Sequence, residues 1–112
     1  MAPMNDDRAR QLLYGNLETL VLAALEREPM HGYGLRRDLA ERSGDTIQVS
    51  FGRLYPLLHG LEKRHLITSR LVRVGAARAQ RVYALTPQGR QELAVLRATW
   101  TRFCGAMNAL LN

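Results

Sequence analysis

A regular apolar stripe near the C-terminus limits how this chain can fold. From Leu93 onward, large apolar residues recur at alternating spacings of three and four, as in the a and d positions of a heptad. Thr86-Pro87 opens this segment with a cap and a proline in the first helical position, which predicts one helix over about Pro87 to Leu111. Because so small a domain has no other surface to cover the stripe, we predict a dimerisation helix; packing against the first helix of the same chain is the alternative. The predicted dimer interface comprises Leu17, Leu20, Leu93, Leu96, Trp100, Phe103, Met107 and Leu110.

Residues 16–64 show helical periodicity in three segments. The first predicted helix begins at Asn16, which can cap it, and ends before Pro29. The second, shorter helix runs from about Gly32 to Arg42 and stops at Ser43-Gly44, where a glycine can adopt the left-handed closing conformation. These two segments predict a pair of helices joined by a short turn.

The third predicted helix begins after Ser50 and ends near Arg64. Leucines on one of its faces predict a buried side, and the other face presents Arg53, Tyr55, Pro56 and His59. Pro56 would lie inside this helix, where a proline removes one hydrogen bond and bends the axis. A helix that begins later in the chain is the alternative.

The period of the pattern changes after residue 65. Leu66 to Val74 alternates loosely, Gly75-Ala76-Ala77 offers a turn, and Arg78 to Leu85 supplies a returning strand. The segment therefore predicts one β-hairpin that carries arginines. We divide the chain into a lead-in segment (1–14), a body (15–86) and the C-terminal helix (87–112).

Positive charge is concentrated in one part of the chain. Between Ser50 and Arg90 there are eight basic residues and one acid, a net charge of +7, whereas the remainder is close to neutral. Fifteen of the sixteen basic residues are arginine, the side chain that binds phosphate and guanine edges in a bidentate manner. Nucleic acid is therefore the first partner to consider, although a solvated basic surface would have the same composition.

Length and composition argue against other protein classes. The chain has 112 residues and its longest apolar run, Leu20 to Leu25, is far shorter than the roughly 18 residues that a membrane span needs. The N-terminus shows no signal pattern, so we expect a cytoplasmic protein. One cysteine and three histidines make a zinc site implausible, and we predict no metal or cofactor. Because no carboxylate pair, nucleophile–base set or phosphate-binding glycine loop is present, we do not expect an enzyme.

Three helices followed by an arginine-bearing hairpin is the order of a winged helix-turn-helix, in which the third helix enters the major groove and the hairpin, or wing, contacts the adjacent backbone. We therefore predict a mainly α fold with a small β-hairpin, that is, a winged helix-turn-helix plus a long C-terminal dimerisation helix. Such a homodimer would bind two half-sites of double-stranded DNA. The alternative is a winged-helix protein-interaction module, against which the basic and polar face of the third helix argues.

Four segments of the chain resemble the PadR family of transcriptional regulators, in the short branch with a single C-terminal dimerisation helix. They are GNLETLVLAAL (15–25), PMHGYGL (29–35), SFGRLYPLLHGLE (50–62) and RVYALTPQGRQEL (81–93). The resemblance runs from about Tyr14 to the C-terminus and is specific because HGY and LYPxLHxLE occur together. It implies a dimeric DNA-binding repressor whose affinity for a palindromic operator is changed by a small effector or a stress signal.

The resemblance places a DNA-binding surface at the second helix, the third helix and the wing, where it also includes Tyr83. We further expect His31 to cap or orient the second helix, whereas Tyr33 either donates to a phosphate or packs between helices. The predicted wing tip, Gly75-Ala76-Ala77, departs from the family because it lacks basic residues. The predicted DNA-binding residues are His31, Tyr33, Ser50, Gly52, Arg53, Tyr55, Pro56, His59, Arg73, Arg78, Gln80 and Arg81.

Trp100 has two interpretations. In short PadR-like dimers a tryptophan on this helix can line a pocket between subunits, and Phe103, Cys104 and Met107 would complete such a pocket for a small aromatic effector. The other interpretation is that Trp100 only packs the dimer interface, which the lack of a polar orienting residue nearby favours. Cys104 is expected to act as a small apolar residue, with thiol sensing as its alternative.

Overall fold

The computed structural model describes residues 6–76 and 78–112, which form helices and one antiparallel sheet of strand order β1-β3-β2. This architecture confirms the predicted fold class, a winged helix-turn-helix with a long C-terminal helix. The elements in chain order are α1 (Asp7–Gly15), α2 (Leu17–Arg27), β1 (Met30–His31), α3 (Gly32–Arg42), α4 (Phe51–Lys63), β2 (Ile67–Val74), β3 (Arg78–Leu85) and α5 (Pro87–Leu111).

The core lies where α2, α3 and α4 meet the base of the hairpin. Leucines at helical spacing supply most of it: Leu22, Leu35, Leu54 and Leu58 are fully buried. Each such side chain stabilises the fold by about 1.5–3 kcal/mol relative to an exposed one. Because the buried leucines of α4 occupy one side of that helix, its other side must face outward.

An additional helix, α1, occupies most of the segment that the sequence analysis treats as a lead-in. The Asp6 carboxylate caps it by accepting from the Ala9 amide at 2.8 Å, and Leu13 is buried against the core. The Asn16 side chain does not cap α2 as predicted. It donates instead to the Leu12 carbonyl at 2.8 Å and so closes α1.

Helices α3 and α4, which form the helix-turn-helix, begin close to their predicted positions. His31 caps α3, with Nδ1 accepting from the Gly34 amide at 2.8 Å, which confirms the expected capping role. Gly44 closes the helix region with φ +61°, as predicted. Helix α4 begins at Phe51, so Pro56 does lie inside it and the alternative of a later start is wrong. Ser50 is its N-cap residue, but the Ser50 side chain makes no capping hydrogen bond.

The hairpin is joined by a third, two-residue strand that the sequence analysis does not predict. Strand β3 pairs with β2 along eight residues and with β1 through Met30 opposite Tyr83 and His31 opposite Val82. Two residues are too few to show an alternating pattern, which is why β1 has no signature in the sequence. The predicted turn is described at Gly75 and Ala76; its third residue, Ala77, lies outside the described residues.

Helix α5 begins as predicted, with the Thr86 hydroxyl accepting from the Gly89 amide at 2.9 Å. Gly89 packs directly on the Leu66 backbone carbonyl, where no side chain would fit. Leu93 is only 1% exposed and Leu17 only 2%, so both side chains belong to the core of a single chain. The prediction that these two residues form a dimer interface is therefore corrected. Among the described helices none is both long and apolar enough to span a membrane.

Candidate nucleic-acid interface

The outward side of α4 is a continuous polar and aromatic surface. Gly52, Tyr55, Pro56 and His59 are all exposed there, opposite the buried leucines of the same helix. This placement agrees with the face that the sequence analysis assigns to base and phosphate contacts. A helix that presents such a face can enter a major groove without uncovering the core.

Tyr55 is held in place by its neighbours. Its ring stacks on that of Phe51, with centroids 5.5 Å apart and planes 26° from parallel. A Cβ atom built on Gly32 would lie 2.5 Å from the Tyr55 hydroxyl oxygen, so the absence of a side chain at Gly32 allows this approach. The ring nevertheless remains 46% exposed. Tyr55 is therefore positioned by α3 and α4 together and still available to a ligand.

Tyr83 does not belong to the exposed surface of the wing. It is only 6% exposed, opposite Ser69 and Met30 in the sheet. Burial raises the pKa of the Tyr83 phenol, and the nearby Tyr55 raises that pKa further. Tyr83 is thus a neutral core residue, which corrects its assignment to the DNA-contacting wing.

The predicted wing residues lie on two faces of the hairpin. In the β2–β3 register, Leu71 pairs with Arg81 and Arg73 with Ala79, on the face that continues from buried Ile67. Successive side chains of a strand point to opposite faces. Arg78 and Gln80 are three residues and one residue from Arg81, so they lie on the other face. The structure therefore brings Arg73 and Arg81 together on the α4 side and separates them from Arg78 and Gln80.

Two of these arginines already have partners within the chain. Arg81 donates to the Ser69 hydroxyl at 3.0 Å, and Ser69 donates to the Glu62 carboxylate at 2.6 Å, which ties the wing to α4. Arg73 donates to the Ala76 carbonyl at 3.3 Å, beside the turn. Both side chains are exposed, so these hydrogen bonds orient the guanidinium groups without removing them from solvent.

Arg53 lies at the edge of the outward face of α4 and not at its centre. Its guanidinium group lies over the Tyr14 ring of α1, 4.5 Å from the ring centroid. A cation held against an aromatic face keeps its charge and its outward hydrogen-bond donors. Arg53 therefore remains a candidate for phosphate contact on the side of α4 that faces α1.

Helix α3 adds basic residues that the sequence analysis leaves out of the site. Arg36 lies over the Phe51 ring at 4.7 Å, and Arg37 over the Tyr33 ring at 5.8 Å. Tyr33 is 58% exposed, which excludes packing between helices as its role. Both arginines lie outside the basic segment 50–90, but their spacing of three and four from Tyr33 could have indicated a shared face.

The apolar stripe of α5 is buried at its start and exposed towards its end. Leu93 is buried and Leu96 partly buried against the core, whereas Trp100, Phe103 and Leu110 are 47%, 52% and 84% exposed. Met107 is 39% exposed. The beginning of the stripe therefore packs within the chain, whereas its end has no intrachain cover among the described residues. Dimerisation through this end stays a prediction.

Trp100 lines an apolar cavity of about 290 Å³, but not with the residues predicted for an effector pocket. Phe103, Cys104 and Met107 do not line this cavity. Its walls come from α1, α2 and the segment before α4: Leu12, Leu13, Asn16, Thr19, Leu20 and Ile47. Leu20, predicted in the dimer interface, is a partly buried wall of this cavity.

No group of three or more His, Cys, Asp or Glu side chains that could hold a metal occurs in the part of the chain that the structure describes.

Comparison with known proteins identifies the family. The profile described as the transcriptional regulator PadR-like family matches residues 21–95. The transcriptional regulator Rv3488 of Mycobacterium tuberculosis is 44% identical over 64 residues, which cover 57% of this chain and 56% of the relative. The chain thus spans little more than half of that relative's length.

Solved structures agree in fold and in sequence. A PadR family transcriptional regulator from Eggerthella lenta is 32% identical, with a TM-score of 0.82 over 94% of this chain and 89% of that one. Bacillus subtilis PadR in complex with operator DNA is 28% identical, with a TM-score of 0.66 over 71% of this chain and 45% of that one. The profile match and the Eggerthella similarity together show that this chain belongs to the PadR-like family of transcriptional regulators.

Proposed function

We propose that this protein is a sequence-specific DNA-binding regulator that inserts α4 into the major groove. The observation that carries the proposal is the exposed face of α4, where Tyr55 is positioned by Phe51 and by the start of α3 and His59 follows one turn later. Arginines of the wing and of α3 flank this face and would contact phosphates. The solved complex of Bacillus subtilis PadR with operator DNA supports this proposal. Members of the family are transcriptional regulators and not enzymes, in agreement with the sequence analysis.

The proposal includes a homodimer that binds a palindromic operator and represses transcription in the cytoplasm. The uncovered end of the α5 stripe supports a second copy of the chain as its cover, because exposed apolar patches of this kind are rare on monomers. A two-fold dimer presents two α4 helices, which matches two half-sites about one helical turn apart.

We further propose that a small aromatic effector regulates this binding at Trp100. The cavity beside Trp100 is lined mostly by apolar side chains and lies against α1 and α2. An aromatic effector could stack on the indole and change how α5 sits on α2. Fluorescence quenching of Trp100, the one tryptophan in the sequence, measures such binding directly.

The central experiment is a titration of the protein on its own upstream DNA and on an unrelated fragment at several salt concentrations. If Arg53, Arg73, Arg78 and Arg81 each meet one phosphate, a dimer makes about eight contacts and the log–log salt slope is roughly −7. A specific complex with a slope of this order supports the proposal. Absence of any specific complex at low salt would contradict it and favour the protein-interaction module.

A further inference from the structure

We propose that the outer face of α3 is a phosphate-binding surface, with Arg36 as its principal residue. This inference rests on the proposed function and extends it to a helix that neither the basic segment of the sequence nor the family motif assigns to DNA contact through arginine. It concerns Tyr33, Arg36 and Arg37 on α3 and Gln48 in the segment before α4, which together line one shallow depression.

The depression is built by one side of α3. Tyr33, Arg36, Arg37 and Ala40 follow the i, i+3, i+4, i+7 spacing and therefore share a face, whereas Leu35 lies on the buried side. The concavity has a volume of about 280 Å³. Its polar groups are mainly hydrogen-bond donors: two guanidinium groups, one phenol and one side-chain amide. This chemistry suits an anion with several acceptor oxygens, such as a backbone phosphate.

Arg36 joins this depression to the helix proposed to read the bases. Its guanidinium group lies 4.7 Å from the centroid of Phe51, the first residue of α4, and Phe51 stacks on Tyr55. The phosphate-binding surface therefore begins at the edge of the face that Tyr55 presents. In a helix-turn-helix the first helix crosses the DNA backbone beside the groove that the second helix enters, which is where Arg36 lies.

The charge of Arg36 is not neutralised within the described part of the chain. No carboxylate there lies within 4.0 Å of its guanidinium group, whereas Arg37 has Glu41 at 3.7 Å and Arg42 has Asp38 at 3.5 Å. Packing on Phe51 restricts the Arg36 side chain while its donors stay outward. A restricted, unpaired guanidinium group loses little entropy when it binds a phosphate, so we expect Arg36 to contribute more than Arg37.

The test compares Arg36→Gln with wild type on the operator fragment and on unrelated DNA. One lost phosphate contact per protomer removes two per dimer, so the log–log salt slope should become flatter by about 2. At about 0.1 M salt the affinity for both DNAs should fall in parallel, by roughly tenfold or more. Arg36→Lys keeps the charge and should keep the slope, although it loses the planar group that stacks on Phe51.

Arg42→Gln is the matched control, since Arg42 is on the same helix, carries the same charge and pairs with Asp38 on the opposite side. It should leave the slope unchanged, and circular dichroism verifies that each variant is folded. If the log–log salt slope of Arg36→Gln equals that of wild type, the inference about α3 is wrong. Specific DNA binding by the wild-type protein would still support the proposed function in that case. A loss confined to the operator also overturns the inference about α3, because Arg36 would then read bases. A wild-type protein that binds no DNA removes the proposed function and this inference with it.

Discussion

At the start of α3 the lack of a side chain at Gly32 determines how closely Tyr55 can approach. The Tyr55 hydroxyl occupies the space that a Cβ atom would need, and the ring carbons behind it lie 2.9 and 3.0 Å from that position. The sequence does not indicate this contact between Gly32 and Tyr55, because the two residues are more than twenty positions apart. Gly32 belongs to the HGY segment of this chain and Tyr55 to its LYPxLHxLE segment, so this contact brings the two segments together in the fold.

Gly32→Ala should destabilise the protein and displace Tyr55. Inserting a methyl group into a filled position costs about 1–3 kcal/mol, which urea denaturation followed by circular dichroism can measure. In a Tyr55→Phe background the nearest clashing atom is gone, so the same substitution should cost less. Equal costs in the two backgrounds would show that the Tyr55 hydroxyl is not what limits residue 32.

The composition does not show which basic residues are paired with carboxylates in the fold. Arg64 contributes to the basic segment of the sequence, yet it donates to Glu18 at 3.0 Å and to Glu92 at 3.3 Å. It therefore joins the end of α4 to α2 and α5 and does not add free positive charge to the outward face of α4. Counting charges along the chain cannot separate such an arginine from an unpaired one.

In the proposed complex, α4 and the hairpin contact different parts of the DNA. Helix α4 presents groups able to reach base edges, whereas the exposed wing arginines are placed for phosphates. Their relative placement is maintained by Ser69, which links Arg81 of β3 to Glu62 of α4. The periodicity of the sequence predicts both elements, but not the hydrogen bonds that join them.

Tyr55→Ala and Arg78→Ala should affect DNA binding differently. Tyr55→Ala should reduce discrimination between operator and unrelated DNA, because in the proposed complex its position faces the major groove. Arg78→Ala should weaken both complexes to a similar extent and flatten the salt slope by about 2 per dimer, because a phosphate contact carries no sequence information. Competition binding assays with both DNAs measure the two effects. Similar behaviour of the two variants would contradict the assigned role of α4.

On the scale of the whole molecule, α5 extends well beyond the compact part. The described chain measures 56 × 31 × 21 Å, and a helix of 25 residues is about 37 Å long. Arg97 pairs with Glu26 of α2 at 2.9 Å, and this hydrogen bond holds the pKa of Glu26 below its usual value. Beyond Arg97 the helix exposes Trp100 and Phe103 to solvent.

Phe103→Glu should give a folded monomer that no longer binds the operator. In a two-fold dimer the new carboxylate would be buried near its symmetry mate, a cost of several kcal/mol, while Phe103 makes no part of the single-chain core. Light scattering measures the mass, circular dichroism the fold, and a mobility-shift assay the binding. Phe103→Leu is the matched control and should remain dimeric. A folded Phe103→Glu dimer would place the interface elsewhere, and a wild-type monomer at micromolar concentration would remove the two-fold model.

The order of α2, α3, α4, the hairpin and α5 follows from the sequence alone, because hydrophobic period and capping are local properties. Helix α1 lies in the segment interpreted as a lead-in and is not predicted. Leucine spacing, Thr86-Pro87 and the alternation after residue 65 suffice to predict α2 to α5 and the hairpin. These patterns do not predict β1, since two residues show no period and the partner strand lies some fifty positions later.

Which of the predicted residues share a surface depends on contacts between distant parts of the chain. Leu93 and Trp100 have the same place in the heptad pattern, yet Leu93 is buried in the core and Trp100 is 47% exposed. Tyr83 and Arg81 lie two residues apart on the same face of β3, yet Tyr83 is buried and Arg81 is exposed. Burial depends on what packs against a residue from distant parts of the chain, and a pattern along the sequence contains only the residue's own neighbours.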